Sequence, residues 1–216
     1  MLRNHFGDRP DVYISSNNFL YYRRGDPEKR VSPDLYVVFG VSSGSRDRFL
    51  LWKEGPAPAF VLEVSSMMTL PEDLGEKMEI YRDELQVPEY FVFDPREEWL
   101  PGHLRGYVLR DRNLDRISPL PSGRLPSRSL GLELGVAAGH IRFFRPGESA
   151  PLETTFEAIT RLREQNRRSD EQNSLHEAEL RGAEASTAKL GTLCDELERL
   201  LGRSPAAPVA PQARRT

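Results

Sequence analysis

Two strongly apolar stretches that each carry one carboxylate constrain the fold of this chain more than any other feature of its sequence. Residues 59–65 read Ala-Phe-Val-Leu-Glu-Val-Ser, with Glu63 as their one charge, and residues 35–41 form a second apolar run that Asp34 introduces. Runs that are apolar on both faces are typical of central strands covered on both sides of a sheet. An isolated charge is costly to bury, so Glu63 needs an ionic partner or a bound cation.

Further segments complete the pattern of a mixed α/β core. Residues 89–94 predict a third buried strand, and residues 103–117 predict a hairpin at the edge of the sheet. Between the second and third strands, a helix is expected to begin near Pro71, with Thr69 as its N-cap. Asp73 is expected to be a charge in the first turn of this helix, although it could instead support a nearby functional site. The apolar stripe of the helix consists of Leu74, Met78, Tyr81 and Leu85. This order of elements predicts an α/β fold with a central mixed sheet flanked by helices.

Three regions are expected along the chain. Residues 1–150 predict the α/β domain, which opens with two short strands in residues 11–22 around a tight Asn-Asn turn. Residues 151–201 have apolar positions at steps of three and four near both ends and a polar middle, which predicts a long helical arm that could form a coiled coil. Residues 202–216 are rich in Pro and Ala and are expected to be a disordered tail.

The charge balance excludes a strongly basic nucleic-acid binder, because 30 basic and 33 acidic residues give a net charge of -3. A nuclease is still compatible with this balance, since its basic surface can be local and a metal ion supplies positive charge. Cys194 is the one cysteine, which excludes a disulfide framework and a cysteine-based zinc site. The sequence has neither a membrane-spanning apolar run nor a signal-peptide pattern, so a cytoplasmic protein without membrane contact is expected.

The two carboxylates and one lysine form a candidate metal site. Glu63 and Ser65 share one face of their strand because side chains alternate, and Asp34 can meet Glu63 if the two strands are neighbours. The carboxylates and the main-chain carbonyl of Val64 would supply the hard oxygen ligands that Mg²⁺ or Mn²⁺ prefers. Lys77 lies at the margin of the helix's apolar stripe, from where its side chain can reach the sheet. It could orient an attacking water or stabilise the charge that develops on a phosphate.

The residues around this site resemble the PD-(D/E)xK nuclease superfamily. Pro33-Asp34 and Glu63-Val64-Ser65 match its motif, except that Ser65 occupies the position of the usual lysine. This departure is similar to the Uma-two family of restriction-endonuclease-like proteins, in which the lysine comes from the following helix. The resemblance is carried by Ser32-Pro33-Asp34, Phe60-Val61-Leu62-Glu63-Val64-Ser65-Ser66, Asp73-Leu74-Gly75-Glu76-Lys77-Met78-Glu79-Ile80-Tyr81 and Val87-Pro88-Glu89-Tyr90-Phe91-Val92-Phe93-Asp94-Pro95.

This resemblance implies a restriction-endonuclease-like domain that hydrolyses DNA phosphodiester bonds with the help of Mg²⁺ or Mn²⁺. It implies that Asp34, Glu63 and Lys77 are the catalytic residues, with Asp34, Glu63 and Val64 around the metal. The sequence specificity, the choice between DNA and RNA, and the biological pathway stay open. A homodimer through the core or through the C-terminal helix also stays open.

Structural explanations compete with this catalytic interpretation. Asp34 could be a turn residue after proline, Lys77 could be an ordinary exposed helix residue, and a Glu63–Lys77 salt bridge could exist without any catalysis. From another class of function, a catalytically inactive nuclease-fold scaffold could act through its helical arm. An active site requires the two carboxylates within about 5 Å of each other, with the lysine amine nearby. A Lys77 side chain that points into solvent would favour the scaffold.

Overall fold

A computed structural model describes residues 1–7 and 9–202, in two units: Met1–Thr155 and a second that begins at Phe156. The strands of the first unit are β1 (Val12–Ser15), β2 (Phe19–Tyr21), β3 (Arg30–Val31), β4 (Leu35–Phe39), β5 (Arg48–Leu50), β6 (Phe60–Val64), β7 (Glu89–Phe93), β8 (Leu104–Arg110), β9 (Asn113–Arg116), β10 (Leu125–Ser127), β11 (Leu132–Ala137) and β12 (His140–Phe144). Both apolar stretches with a carboxylate therefore form strands, β4 and β6.

The principal sheet has six strands in the order β1-β4-β6-β7-β8-β9. Strands β6 and β7 are parallel, and the other neighbouring pairs of this sheet are antiparallel. The predicted central mixed sheet is therefore confirmed, as is the hairpin of β8 and β9 at its edge. Strand β6, which carries Glu63, lies in the interior of the sheet between β4 and β7.

Apolar cores cover both faces of this sheet, because successive side chains of a strand point to opposite faces. Val61 of β6 belongs to one core, whereas its neighbours Phe60 and Leu62 belong to the other. A three-stranded sheet in the order β3-β2-β5 contributes to the first core, and a second in the order β10-β11-β12 contributes to the other. Both faces of β6 are therefore buried, as its apolar sequence predicts.

The helices of the first unit are short, and the segment that follows β6 differs from the single predicted helix. The helices are α1 (Leu2–His5), α2 (Leu51–Glu54), α3 (Leu70–Asp73) and α4 (Glu76–Glu79), and α4 continues into a π-helical turn, Ile80–Glu84. The helical segment is interrupted between α3 and α4 at Gly75. A Cβ atom at this position would lie 2.7 Å from the carbonyl oxygen of Pro71. Thr69 takes the N-cap position but makes no side-chain cap, because its Oγ1 accepts the Ser66 N–H instead.

The predicted apolar stripe of this segment is confirmed despite the break. Tyr81 and Leu85 are buried in the first core, and Leu74 and Met78 pack against it. Burial of an amphipathic face supplies most of the stability of a short helix, so these contacts hold α3, α4 and the π-helical turn on the sheet. The stripe also fixes which side of the segment faces β6.

The predicted hairpin near the N-terminus is wrong. Strand β1 pairs with β4, whereas β2 pairs with β3 and β5 in a different sheet. Asn17 has a φ of 54°, so the chain does turn between the two strands. The side chain of Asn18, however, accepts a hydrogen bond from the Tyr36 hydroxyl and donates one to the Tyr13 hydroxyl. These bonds tie the turn to the core and direct the two strands into separate sheets.

The second unit contains one long helix, α5 (Thr155–Leu200), which spans 46 residues. None of its described residues is buried, and its polar middle carries ion pairs between residues three and four positions apart, such as Arg167 with Glu164 and Glu171. Such pairs stabilise exposed helices modestly. The coiled coil stays a prediction, and the predicted tail lies outside the described residues except for Gly202. In residues 1–7 and 9–202, no helix is both long and apolar enough to cross a membrane.

Candidate functional site

Strand β6 places the Glu63 carboxylate in a fully buried position beneath the helical segment. One oxygen, Oε1, accepts a hydrogen bond from the Tyr81 hydroxyl at 2.6 Å and lies 3.4 Å from the Lys77 amine. The other oxygen, Oε2, accepts a hydrogen bond of 3.2 Å from the main-chain N–H of Asp34. The ionic partner predicted for the buried Glu63 is therefore present, and it is Lys77. The same carboxylate also accepts hydrogen bonds from a tyrosine and a backbone amide.

Asp34 lies beside Glu63 because the antiparallel register of β4 and β6 brings their chains together. Leu35 pairs with Leu62. Asp34, the residue before β4, therefore lies opposite Glu63, the residue after Leu62. The Asp34 carboxylate accepts a hydrogen bond of 2.7 Å from the Val64 N–H through Oδ2. Each strand thus binds, through its main chain, the carboxylate of the other. The two strands are neighbours, as the metal-site hypothesis requires.

The Lys77 side chain points toward the sheet and not into solvent. Its amine donates a hydrogen bond of 2.8 Å to Asp73 and lies 3.4 Å from Glu63, and only 17% of the side chain is exposed. Asp73 ends α3 and Lys77 lies in α4, so this hydrogen bond joins the two helices across the break at Gly75. The structure therefore brings together the three predicted catalytic residues, Asp34, Glu63 and Lys77.

Asp73 is part of the same cluster, although its sequence position favours a charge in a first helical turn. Its side chain is 1% exposed, and its two oxygens bind Ser65 Oγ at 2.6 Å and the Lys77 amine at 2.8 Å. Its main-chain carbonyl accepts a hydrogen bond from the Tyr90 hydroxyl at 2.7 Å. Ser65 occupies the position where the motif usually has its lysine. Its hydroxyl contacts Asp73, the carboxylate that also binds Lys77.

Tyr81 has a polar role that the sequence interpretation missed. Its ring is a core residue, as predicted, but its hydroxyl binds the Glu63 carboxylate. The spacing of Asp73, Lys77 and Tyr81 by four residues places such side chains on one face of a helix. That spacing, next to a buried acid on the preceding strand, is the signal that could have revealed both residues.

The cluster contains three carboxylates and one amine, and the amine contacts two of the carboxylates, those of Asp73 and Glu63. Burial raises the pKa of the Glu63 carboxyl to about 7, although the Tyr81 hydroxyl and Lys77 oppose this rise. Burial favours neutral Lys77, but Asp73 and Glu63 more than offset it and raise the pKa of its amine, which keeps it charged. Burial and Glu63 raise the pKa of Tyr81, so its hydroxyl remains a proton donor.

The donor set at this cluster fits a small divalent cation. Asp34 and Glu63 offer carboxylate oxygens, and the N–H and C=O of a strand residue point to the same side, so the Val64 carbonyl lies on the side of Asp34. Within the described part of the chain, no group of three or more His, Cys, Asp or Glu side chains is arranged for a metal ion. The predicted metal ligands include only two side chains of these types, Asp34 and Glu63, because the third ligand is a main-chain carbonyl. Mg²⁺ commonly binds one or two carboxylates and keeps several waters.

The raised pKa of Glu63 predicts that the metal-free protein loses stability as the pH rises from about 5 to 8. The folded state binds a proton that the unfolded carboxyl, with an ordinary pKa of 4.5, has already released. The contribution of Glu63 to the free energy of unfolding is therefore fully present below the pKa of the unfolded carboxyl. It is lost as the pH rises through about 7. Urea unfolding in a chelator across this pH range measures the effect.

The matched variant for this measurement is Glu63→Gln, which removes the titrating group and keeps the size of the side chain. We expect the difference in unfolding free energy between the variant and the wild type to change across this pH range. Parallel curves for the two proteins would contradict the prediction.

Comparisons with known proteins give a family match and similarity to solved structures. Residues 1–138 match the model of the Uma2 (Uma-two) family, which is described as "Putative restriction endonuclease". Among solved structures, a "putative nuclease belonging to DUF820" from Anabaena variabilis ATCC 29413 is 12% identical, with a TM-score of 0.42. The alignment covers 60% of this chain and 66% of that chain, just under two thirds of its length. No curated protein matches.

Proposed function

The chain belongs to the Uma2 family, and from this membership we propose that it is a divalent-metal-dependent endonuclease that hydrolyses DNA phosphodiester bonds. The observation that carries the proposal is the buried Glu63 carboxylate, which the fold places beside Asp34 and within 3.4 Å of the Lys77 amine. A purely structural acid does not need a second carboxylate at its side, because like charges raise the cost of burial. A cation bound between the two carboxylates would offset this repulsion.

Asp34, Glu63 and the main-chain carbonyl of Val64 hold the ion, which is Mg²⁺ or Mn²⁺. When bound, the ion supplies a Lewis acid that polarises a phosphate oxygen and lowers the pKa of a water. The hydrogen bonds of the two carboxylates to main-chain N–H groups fix their orientation before the ion arrives. This rigidity favours activity, because a ligand set that is already oriented loses little entropy when it binds.

Lys77 orients the attacking water or stabilises the negative charge that develops on the phosphate. A charged amine in a mostly buried site acts strongly on such charge, because water screens it poorly there. Asp73 and Tyr81 are positioning residues: Asp73 holds the amine, and the Tyr81 hydroxyl holds Glu63. Ser65 in turn holds Asp73. Ser65 and Asp73 thus hold in place a lysine that comes from α4 and not from β6.

Nicking of supercoiled plasmid DNA by the purified full-length chain tests this function. We expect conversion to open-circle DNA with Mg²⁺ or Mn²⁺ and none with a chelator, because the two carboxylates alone cannot activate a water. Calorimetric titration of the same protein with Mn²⁺ should show binding without substrate. Cleavage that continues in the chelator would contradict metal dependence, and the absence of both cleavage and metal binding would contradict the whole proposal.

The competing proposal is a catalytically inactive scaffold that acts through its helical arm. The observation in its favour is that α5 exposes a series of apolar residues at helical spacing, namely Leu190, Leu193, Leu197 and Leu200. Light scattering of the wild type and of Leu193→Glu tests it. A dimer that the substitution dissociates, in a protein that neither binds metal nor nicks DNA, would favour the scaffold over the nuclease.

A further inference from the structure

A groove beside Lys77 lies between β3, an edge strand of the β3-β2-β5 sheet, and the helical segment that follows β6. Its volume is about 330 Å³. The residues that line it include Phe19, Arg30 and Val31 on one wall and Glu72, Glu76 and Lys77 on the other. We call it the β3–α4 groove. Because the Lys77 amine also lies 3.4 Å from Glu63, the groove adjoins the carboxylate cluster of the candidate site.

The groove opens on the face of the principal sheet that carries Glu63. Val61 and Glu63 share one face of β6, because they are two residues apart. Val61 belongs to the first core, and so do Val31 from the β3 wall and Tyr81 from the helical segment. The small sheet and the helical segment therefore both pack on this face, with the groove between them.

The β3 wall is also joined to the cluster through the chain. Arg30 lies in β3, and Asp34 follows it by four residues. Four extended residues span at most about 14 Å, and a nucleic-acid strand advances about 3.4 Å per nucleotide along its helix axis. A strand with one phosphate at the cluster can therefore place a nucleotide within about four positions of that phosphate in the groove.

Arg30 and Phe19 stack on each other at the open end of the groove, where both are exposed. The Arg30 guanidinium lies 4.6 Å from the centre of the Phe19 ring and donates a hydrogen bond of 3.3 Å to the Tyr21 hydroxyl. Strand pairing explains this stack, because Arg30 pairs with Tyr21 and Phe19 precedes Tyr21 by two residues. The contact with the ring orients the guanidinium without neutralising its charge.

The charge of Arg30 is not balanced by an ion pair. Within the described part of the chain, no carboxylate forms a salt bridge with it, and Glu28 acts on its charge only at longer range. The exposed Arg23, in contrast, pairs with Glu84. A guanidinium has five N–H donors in a geometry that matches phosphate oxygens. Arg30 therefore meets the requirements for contact with a phosphate.

The helical wall of the groove carries the opposite charge. Glu72 and Glu76 are exposed there, and Glu72 is close enough to raise the pKa of Lys77. These carboxylates repel a phosphate, but they can accept hydrogen bonds from the amino groups of bases. The groove thus has positive charge on one wall and negative charge on the other. A nucleotide matches this arrangement, with its phosphate toward Arg30 and its base toward the helical wall.

We propose that the β3–α4 groove binds a nucleotide of the substrate strand within about four positions of the phosphate at the Asp34–Glu63 cluster. This assignment rests on the proposed nuclease function and adds to it a second contact with the substrate. Arg30 contacts the phosphate of this nucleotide, Phe19 holds Arg30 in place, and Glu76 keeps the backbone off the helical wall. The bound strand passes Lys77 and leaves the cluster toward β3.

Binding of a short fluorescent DNA duplex in a chelator tests the assignment independently of cleavage. We expect Arg30→Gln to weaken binding about tenfold and to reduce the salt dependence by about one ion. Phe19→Leu should weaken binding about threefold and keep the salt dependence, because it removes no charge. The matched control is Arg24→Gln, which makes the same change at an exposed arginine outside the groove. Unchanged affinity in Arg30→Gln, an equal loss in the control, or no binding by the wild type would overturn the proposal.

Two further measurements separate other occupants of the groove from a polynucleotide. Glu76→Gln should bind DNA at least as tightly as the wild type; weaker binding would contradict a backbone held on the opposite wall. Calorimetry with a free nucleoside monophosphate should show no binding that depends on Arg30, since this ligand lacks the contact at the cluster. Arg30-dependent binding of the monophosphate, without Arg30-dependent binding of DNA, would overturn the polynucleotide assignment.

Cleavage assays separate this proposal from the nuclease function on which it rests. We expect Arg30→Gln to raise KM about tenfold and to leave kcat nearly unchanged, because Arg30 binds the substrate away from the reacting phosphate. Loss of DNA affinity in a protein that never cleaves would retain the groove and reject the nuclease. Should Arg30→Gln fail to fold in urea unfolding, Phe19→Leu carries the same test.

Discussion

Replacing Glu63 with glutamine is expected to reduce Mg²⁺-dependent cleavage of DNA by on the order of 1,000-fold. Glutamine keeps the volume of the side chain, but its one carbonyl oxygen can accept only one of the two hydrogen bonds that Tyr81 and the Asp34 N–H donate to separate oxygens of Glu63. It lacks the negative charge that holds the ion and attracts the Lys77 amine. Single-turnover nicking rates at saturating Mg²⁺ measure the loss, and calorimetry should show weaker Mn²⁺ binding in the same variant.

The control for this experiment is Glu79→Gln, which makes the same chemical change at an exposed residue of α4. It should cleave at the rate of the wild type. Urea unfolding at about pH 5 should show that Glu63→Gln is folded, because the wild-type carboxyl is itself mostly protonated there. A folded Glu63→Gln variant that cleaves like the wild type would show that the metal site lies elsewhere or that the activity belongs to a contaminant.

The second large effect is expected for Lys77→Met, which should lower kcat by about 100-fold while Mn²⁺ binding is retained. The amine touches the carboxylates of Asp73 and Glu63, and in the proposed reaction it acts on the water or the phosphate and not on the ion. Methionine keeps much of the volume of the lysine side chain. Lys53→Met, at an exposed lysine of α2, is the matched control and should leave kcat unchanged.

A double variant, Ser65→Lys with Lys77→Ser, tests whether the position of the charge or its origin in the helix matters. Ser65 Oγ and the Lys77 amine bind opposite oxygens of one Asp73 carboxylate, so a lysine at position 65 has its charge close to the same acid. We expect the double variant to recover part of the cleavage that Lys77→Ser loses. Full activity of Lys77→Ser by itself would contradict a catalytic role for the lysine.

The sequence was informative where burial determines the pattern. A strand that is apolar on both faces must lie inside a covered sheet, and both β4 and β6 do so. The acid within β6 therefore required a partner. The helical segment that follows β6 was predicted to supply Lys77, and the Lys77 amine does lie 3.4 Å from Glu63. The family expected from these motifs is confirmed by the match over residues 1–138.

The sequence was less informative where several local structures have similar free energies. A turn at Asn17 is compatible with a hairpin and also with two strands in different sheets, and the choice depends on tertiary bonds of Asn18 that no local pattern shows. Likewise, the apolar stripe predicts the buried face of the helical segment but not its break at Gly75. Asp73 and Tyr81 were undervalued because an acid in a first turn and a tyrosine in a core already have sufficient local explanations.

The reciprocal bonds between β4 and β6 have a consequence for the time at which the candidate site forms during synthesis. Asp34 is held by the main chain of Val64, and Glu63 is held by the main chain of Asp34. A shift of one residue in the pairing would turn one carboxylate to the opposite face from the other, so neither strand can prepare its half of the site alone. The carboxylate pair can therefore exist only after the ribosome has released both strands and they have aligned.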